Sequence, residues 1–295
     1  MIIGENDCME AMKSGDVIIF EAGDNWLSKA IAKLTDSNVS HAAMRYKGDS
    51  IVEMGAGGIS VSKCNIADEG DKAYLLRLFP EKDSTPLIEA AEKYIDAGTV
   101  YDYPDLVFFA GLLVYRAIRP TMRWQKVTDV VLNAACAVLD KILNRIIQQG
   151  GDTPALVCSQ LVYQCYLDCG EEYKIKLKDA LLQGTIHGKV VLAKLLEDRT
   201  DIEPVLYDRA QEEIDLEALA QELCVAMEEE DTVLLGENEL CGTLGYAKKF
   251  LDLVEHLMKE LDMDIPVPAL FVAPNDLLDH AVNLKKYAEV FLMRE

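Results

Sequence analysis

Cys158-Ser159-Gln160-Leu161-Val162-Tyr163-Gln164-Cys165-Tyr166 opens an apolar helical pattern, and Val39-Ser40-His41-Ala42-Ala43-Met44 is a β-rich run that carries a histidine. A thiol on the first turn of a helix and an imidazole on a strand are the two halves of a nucleophile and base pair. Only the thiolate is a nucleophile, and its pKa of about 8.5 falls at a helix N-terminus beside an imidazole. The helix begins at or next to Cys158, after Asp152-Thr153-Pro154. The unpaired amides of its first turn therefore face the sulfur. The same amides, those of Cys158 and Ser159, are placed to hold an oxyanion.

Outward from these two stretches the chain separates into strands and then helices. Asp16 to Phe20 is a compact strand after Ser14-Gly15; Ser40 to Tyr46 and Ser50 to Met54 flank Lys47-Gly48-Asp49 as a hairpin; Ala73 to Phe79 is closed by Pro80. Asn25 to Leu34 has helical spacing between the first two strands. Beyond Pro86 the pattern is helical: Leu87 to Ala97, ended by Gly98, then a turn through Tyr101-Asp102-Tyr103-Pro104, Asp105 to Ile118, about 124–148, and the Cys158 helix up to Gly170. Strands segregated from helices predict an α+β fold.

A base needs a partner that fixes its tautomer. Glu53, on the return strand of the hairpin, is the candidate. With an odd loop, Tyr46 facing Ser50, Ala43 lies opposite Glu53 and His41 is its diagonal neighbour on the same face, ~7 Å away at the backbone. An even loop turns Glu53 to the other face. His187 is the rival base, because it follows the cysteine in the chain; His256 and His280 lie in helix-like segments as surface or capping residues. Asp16 is placed to orient a strand turn or the site, and Tyr101 and Tyr103 to line a cleft.

Composition narrows the function. The 295 residues carry 51 Asp+Glu against 29 Lys+Arg, a net charge of -22, which repels phosphate backbones and argues against nucleic acid as a partner. The N-terminal residues lack the basic start and apolar core of a secretory signal, so a cytoplasmic location is expected. The eight cysteines include no CxxC pair and are expected to be reduced; Cys158, Cys165 and Cys169 spread over three helical turns and cannot converge on one metal ion. No metal or cofactor is expected. The run Leu106 to Tyr115 is shorter than the ~20 residues that span a bilayer. Between Glu197 and Asp231 stand fourteen acidic and two basic residues, and Leu240 to Leu261 has one apolar side. Together they predict a helical hairpin with an acidic face, packed on the core or on a second subunit in a homodimer.

Six stretches taken in order carry a resemblance. They are Ser14-Gly15-Asp16-Val17-Ile18-Ile19-Phe20; Ser40-His41-Ala42-Ala43-Met44; Ile51-Val52-Glu53-Met54 with Gly57-Gly58-Ile59; Tyr101-Asp102-Tyr103; Cys158-Ser159-Gln160-Leu161-Val162-Tyr163; and Phe271-Val272-Ala273-Pro274-Asn275-Asp276-Leu277. The set resembles the NlpC-type cysteine hydrolases in their circularly permuted, YiiX-like form. That resemblance implies a papain-like core, an antiparallel sheet packed on helices, over 1–172 plus 265–295, with a mainly helical acidic insertion over 173–264. It implies Cys158 as nucleophile, His41 as base and Glu53 as the third polar member, with Ser159, Tyr101, Tyr103 and Asp16 at the substrate or oxyanion. The substrate it implies is a small peptide or peptidoglycan-type amide, cleaved through a thioester. Two other readings stay open: a lipid-directed thiol acyltransferase or esterase, since permuted relatives such as lecithin:retinol acyltransferase use a similar pair on acyl chains, and a binding module without catalysis. The segment Thr121 to Gln149 and the acidic hairpin depart from the compact family pattern.

Overall fold

A computed structural model describes residues 12–25, 28–29, 31–32, 37–55, 57–99, 111, 125, 128–137, 139–140, 157–178, 202–204, 236–260 and 272–294. Six strands, β1 (Val17–Glu21), β2 (Val39–Arg45), β3 (Ser50–Gly55), β4 (Gly58–Ala67), β5 (Asp71–Leu78) and β6 (Leu284–Arg294), form a sheet in which every pairing is antiparallel. With the helices α1 (Thr85–Asp96), α2 (Cys158–Asp168) and α3 (Glu237–Glu260), the architecture is α+β. The sheet does not stay open: its order is β1-β2-β3-β4-β6-β5, with β1 hydrogen-bonded back to β5, so it closes into a barrel.

Closure depends on two strands absent from the sequence-based expectation. β4 carries Ser60 and Ser62 on its inner positions and the exposed Val61 on its outer face, the reverse of the pattern that marks a half-buried strand. β6 breaks its own alternation: Leu75 pairs with Ala288 but Leu76 with Lys286, so Tyr287 is an extra residue and the period slips by one. A fixed period of two does not detect either strand.

The barrel has two apolar faces. Its interior holds Ile18, Phe20, Ala43, Ile51, Cys64, Ala73, Leu75 and Leu292, with Met12 beneath them. Its outer face, with Val17, Ile19, Ala42, Met44, Val52 and Met54, packs against α1, α2 and α3 in one continuous core. In α2, Leu161, Val162, Tyr163, Cys165 and Tyr166 are all buried. Burying each side chain of this size stabilises the fold by about 2 kcal/mol. Pro86 stands in the first turn of α1, where the ring removes no helical hydrogen bond. Gly15, at φ 88, turns the chain into β1; a β-carbon there would come within 2.8 Å of Leu87 Cδ1, and its carbonyl accepts the Tyr166 hydroxyl, which ties α2 to the start of β1.

The apolar side of α3 proves to be an internal one. Leu244, Ala247, Phe250, Leu253 and Val254 join the same core as α2 and the barrel. The acidic segment Glu197 to Asp231 and the helix expected over Asp105 to Ile118 lie almost wholly outside the described residues. Among the described residues no helix is long and apolar enough to cross a membrane.

Candidate active site

Three elements meet at one end of the barrel. β1 and β2 pair in register from Val17↔Met44 to Phe20↔His41, and then Glu21 faces Val39, which leaves Ser40 as an extra residue beside His41. A bulge of this kind bends a strand and re-aims the next side chain. The β2–β3 hairpin closes with three loop residues, Tyr46 N donating to Ser50 O at 2.9 Å, and Ala43 stands opposite Glu53. The odd loop puts Glu53 on the face of His41. His41 Nε2 and Glu53 Oε2 are 2.6 Å apart.

The sulfur arrives from α2. Val157 caps that helix in an extended conformation (φ −92, ψ 174), its N–H donates to Gln160 Oε1 at 2.8 Å, and its carbonyl accepts from Leu161 N at 3.0 Å. Cys158 is therefore the first helical residue, and the amides of the first turn have no acceptor within the helix. The Cys158 sulfur lies within electrostatic reach of the His41 ring and of the backbone N–H groups of Ala42 and Ser159, each of which favours its ionised form. With Nε2 engaged by Glu53, the imidazole is left Nδ1 for the sulfur. The Ser159 hydroxyl is committed elsewhere, donating to Val272 O at 2.6 Å, so of this residue only the amide faces the site.

Electrostatics follow from that contact. Burial opposes ionisation of Cys158, but the positive imidazole, its hydrogen bond and the amides of Ala42 and Ser159 outweigh it and hold the thiol below its ordinary range. Burial likewise opposes the imidazolium, yet the charge and hydrogen bond of Cys158, followed by those of Glu53, raise His41 to about 9. Glu53 pays the same burial penalty and is nevertheless drawn down to about 2 by the hydrogen bond and charge of His41, with Arg294 and Ser62 adding to it. The shifts all favour a charged Cys158 and His41 pair with the Glu53 carboxylate beside the ring. Other thiols move the opposite way: burial pushes Cys64 and Cys169 up to about 11 and Cys136 to about 12, and Cys165 also rises.

Asp16 is not brought to this site. It lies at the opposite end of β1 from Phe20, the residue that faces His41, and it is 2% exposed. Its carboxylate accepts from Arg77 Nε and Nη2 at 2.7 and 2.6 Å, from Tyr287 Oη at 2.6 Å and from Lys13 N at 2.8 Å. A cavity of about 270 Å³ opens there, lined by Lys13, Asp16, Arg77, Lys82, Ser84 and Tyr166, away from Cys158. Tyr101, Tyr103 and His187 lie outside the described residues. His280 is half-buried, its Nδ1 3.1 Å from Lys178 O. Among the described residues no group of three His, Cys, Asp or Glu side chains is placed to hold a metal ion.

Three participants escaped the sequence: the Ala42 amide, Ser62, whose hydroxyl donates to Glu53 Oε1 at 3.2 Å, and Arg294, whose Nη1 donates to Glu53 Oε2 at 3.0 Å. None has a motif, because each is recruited by strand register. No protein-family model matches the chain, and no curated protein matches it in sequence.

Proposed function

We propose that this protein is a cysteine-dependent hydrolase of amide bonds, of the papain-like, circularly permuted NlpC type, acting on a small peptide or peptidoglycan-type amide. The observation that carries the reading is the continuous line from Cys158 through His41 to Glu53, with the thiol below its ordinary range at the first residue of a helix. The Cys158 thiolate attacks the amide carbon, and helix amides stabilise the oxyanion. The imidazolium of His41 gives its proton to the leaving nitrogen as the C–N bond breaks, leaving a thioester on Cys158. Neutral His41 then takes a proton from water, the hydroxide displaces the sulfur, and the acid product leaves with the thiolate and imidazolium restored. Glu53 holds the ring and balances its charge throughout.

The test is alkylation by iodoacetamide across pH 4 to 9, with the modified cysteine mapped by peptide mass, alongside release of aminomethylcoumarin from a panel of peptide amides. Cys158 is expected to react at pH 5 to 6, where ordinary thiols are protonated, and the Cys158→Ala protein to release no fluorophore. Labelling confined to other cysteines at acid pH overturns the assignment.

A further inference from the structure

Arg294, at the end of the pairing between β6 and β4 where it faces Cys64, touches two of the groups that meet the imidazole, Glu53 and Phe20. Its Nη1 donates to Glu53 Oε2 at 3.0 Å, the same oxygen that His41 Nε2 approaches to 2.6 Å. The guanidinium also lies 4.6 Å from the Phe20 ring centroid, and Phe20 in turn packs against His41 with ring centroids 5.7 Å apart and tilted by 40°. Two separate routes therefore lead from one side chain to the base, one through a carboxylate and one through a ring.

The arginine is itself anchored. Its Nε and Nη2 donate to Asp71 Oδ2 at 2.9 and 2.6 Å, so the fork grips β5 with one edge and Glu53 with the other. Ser62 takes the remaining Glu53 oxygen. The carboxylate is thus held by three donors from three strands and has one orientation available to it. Only a planar, multidentate cation can span Asp71, Glu53 and an aromatic face together; an ammonium is a point charge and cannot.

We infer that Arg294 is a positioning residue of the Cys158–His41–Glu53 site, through which the strand that closes the barrel locks the carboxylate and the ring that orient the imidazole. The inference rests on the hydrolytic reading of that site. Asp71 supplies the counter-charge that keeps the guanidinium from opposing the imidazolium. The charged or titratable groups facing this cluster are Cys158, His41, Glu53, Asp71, Cys64 and Arg45, and Cys64 stays a neutral thiol at neutral pH because burial raises it to about 11. A misplacement of the base by 1 Å is enough to cost an enzyme on the order of 10²-fold in rate.

The experiment compares the full-length wild type with Arg294→Met, Arg294→Lys and Asp71→Asn, reading iodoacetamide alkylation of Cys158 from pH 4 to 10 and the His41 titration by nitrogen-detected NMR, with thermal melting as a control for folding. Arg294→Met is expected to slow alkylation at pH 6 about tenfold and to move the His41 titration below about 9. Arg294→Lys, which keeps the charge without the fork, should behave like the Met protein, and Asp71→Asn, which leaves Arg294 in place but frees it, should shift the profile in the same direction. An unchanged profile in all three, full recovery by Lys, or an upward His41 shift overturns the inference. If Arg294→Met does not fold, Asp71→Asn decides by itself. Failure of wild-type Cys158 to react at acid pH refutes the hydrolytic reading instead, and is distinguishable because it appears before any substitution is made.

Discussion

The two ends of the barrel are built from the same parts but differ in what those parts hold. At one end Arg77 forks onto Asp16 and lies 4.7 Å over the Tyr287 ring; at the other Arg294 forks onto Asp71 and Glu53 and lies 4.6 Å over Phe20. Asp16 takes four donors, from Arg77 twice, Tyr287 and Lys13, and this saturates a carboxylate. None of those donors gives up its proton near neutral pH: the Asp16 hydrogen bonds drive Arg77 upward, and burial drives Tyr287 upward too. Glu53 instead shares one oxygen between an arginine and an imidazole, and the imidazole touches a thiol at a helix start. An arginine and carboxylate pair inside a barrel is thus a strut by default. It serves chemistry only when one partner can exchange a proton at working pH and a nucleophile stands beyond it.

That contrast can be broken most sharply at Cys158. Cys158→Ala should remove acid-pH alkylation altogether, a loss of roughly 10³-fold or more, because the thiolate fraction of the raised thiols falls tenfold for each unit of pKa. Mass mapping that finds comparable labelling at Cys64 or Cys165 would erase the distinction between Cys158 and the thiols that burial raises.

Next in size is Glu53→Gln. Losing the charge while keeping the shape should lower amide hydrolysis by about 10²–10⁴-fold and drop the His41 titration from about 9 toward its ordinary 6.5. Steady-state rates and NMR titration measure the two effects separately. The matching change at the other end, Asp16→Asn, should cost about 3 kcal/mol of stability by leaving Arg77 without its counter-charge, while the alkylation profile of Cys158 stays as in wild type. Urea unfolding reads the first, and a shifted alkylation profile would show that the two ends communicate.

The smallest effects are in pH. Hydrolysis should decline as His41 loses its proton near pH 9, since the imidazolium is the acid for the leaving nitrogen. Glu53 is depressed from 4.5 to about 2 in the fold, so its contribution to stability is complete above 4.5 and disappears as the pH falls toward 2. His41 is raised from 6.5 to about 9, so its contribution is complete below 6.5 and disappears through 9; lowered Cys158 acts in the opposite sense, and the pair largely cancels near neutrality. The stability gap between wild type and Glu53→Gln should therefore close between pH 4.5 and 2, and should also narrow between 6.5 and 9, where only the wild type carries the raised His41 titration. A gap that persists at pH 2 would mean Glu53 acts by packing rather than charge.

Much of the site could be read from the chain because it is local. The Lys47-Gly48-Asp49 loop has three residues, and with a side-chain period of two its parity alone puts Glu53 on the face of His41. Cys158 as a helix start follows from the apolar spacing that begins there and ends before Gly170. Arg294 follows from nothing local: it stands 241 positions from Glu53, on a strand whose alternation is broken at Tyr287. Asp16 was misleading for the reverse reason, since an acidic residue at a strand start looks the same whether its partners titrate or not.

Short-range periodicity, then, determined the α+β class and the helix that starts at Cys158, and narrowed the facing of His41 and Glu53 to a choice of loop parity. Closure of the sheet, the burial that pits desolvation against charge around Cys158, and the recruitment of Arg294 were decided only in three dimensions. Hydrogen-bonded pairing between distant strands sets which residues share a barrel end, and nothing in the spacing of one strand encodes its partner on another.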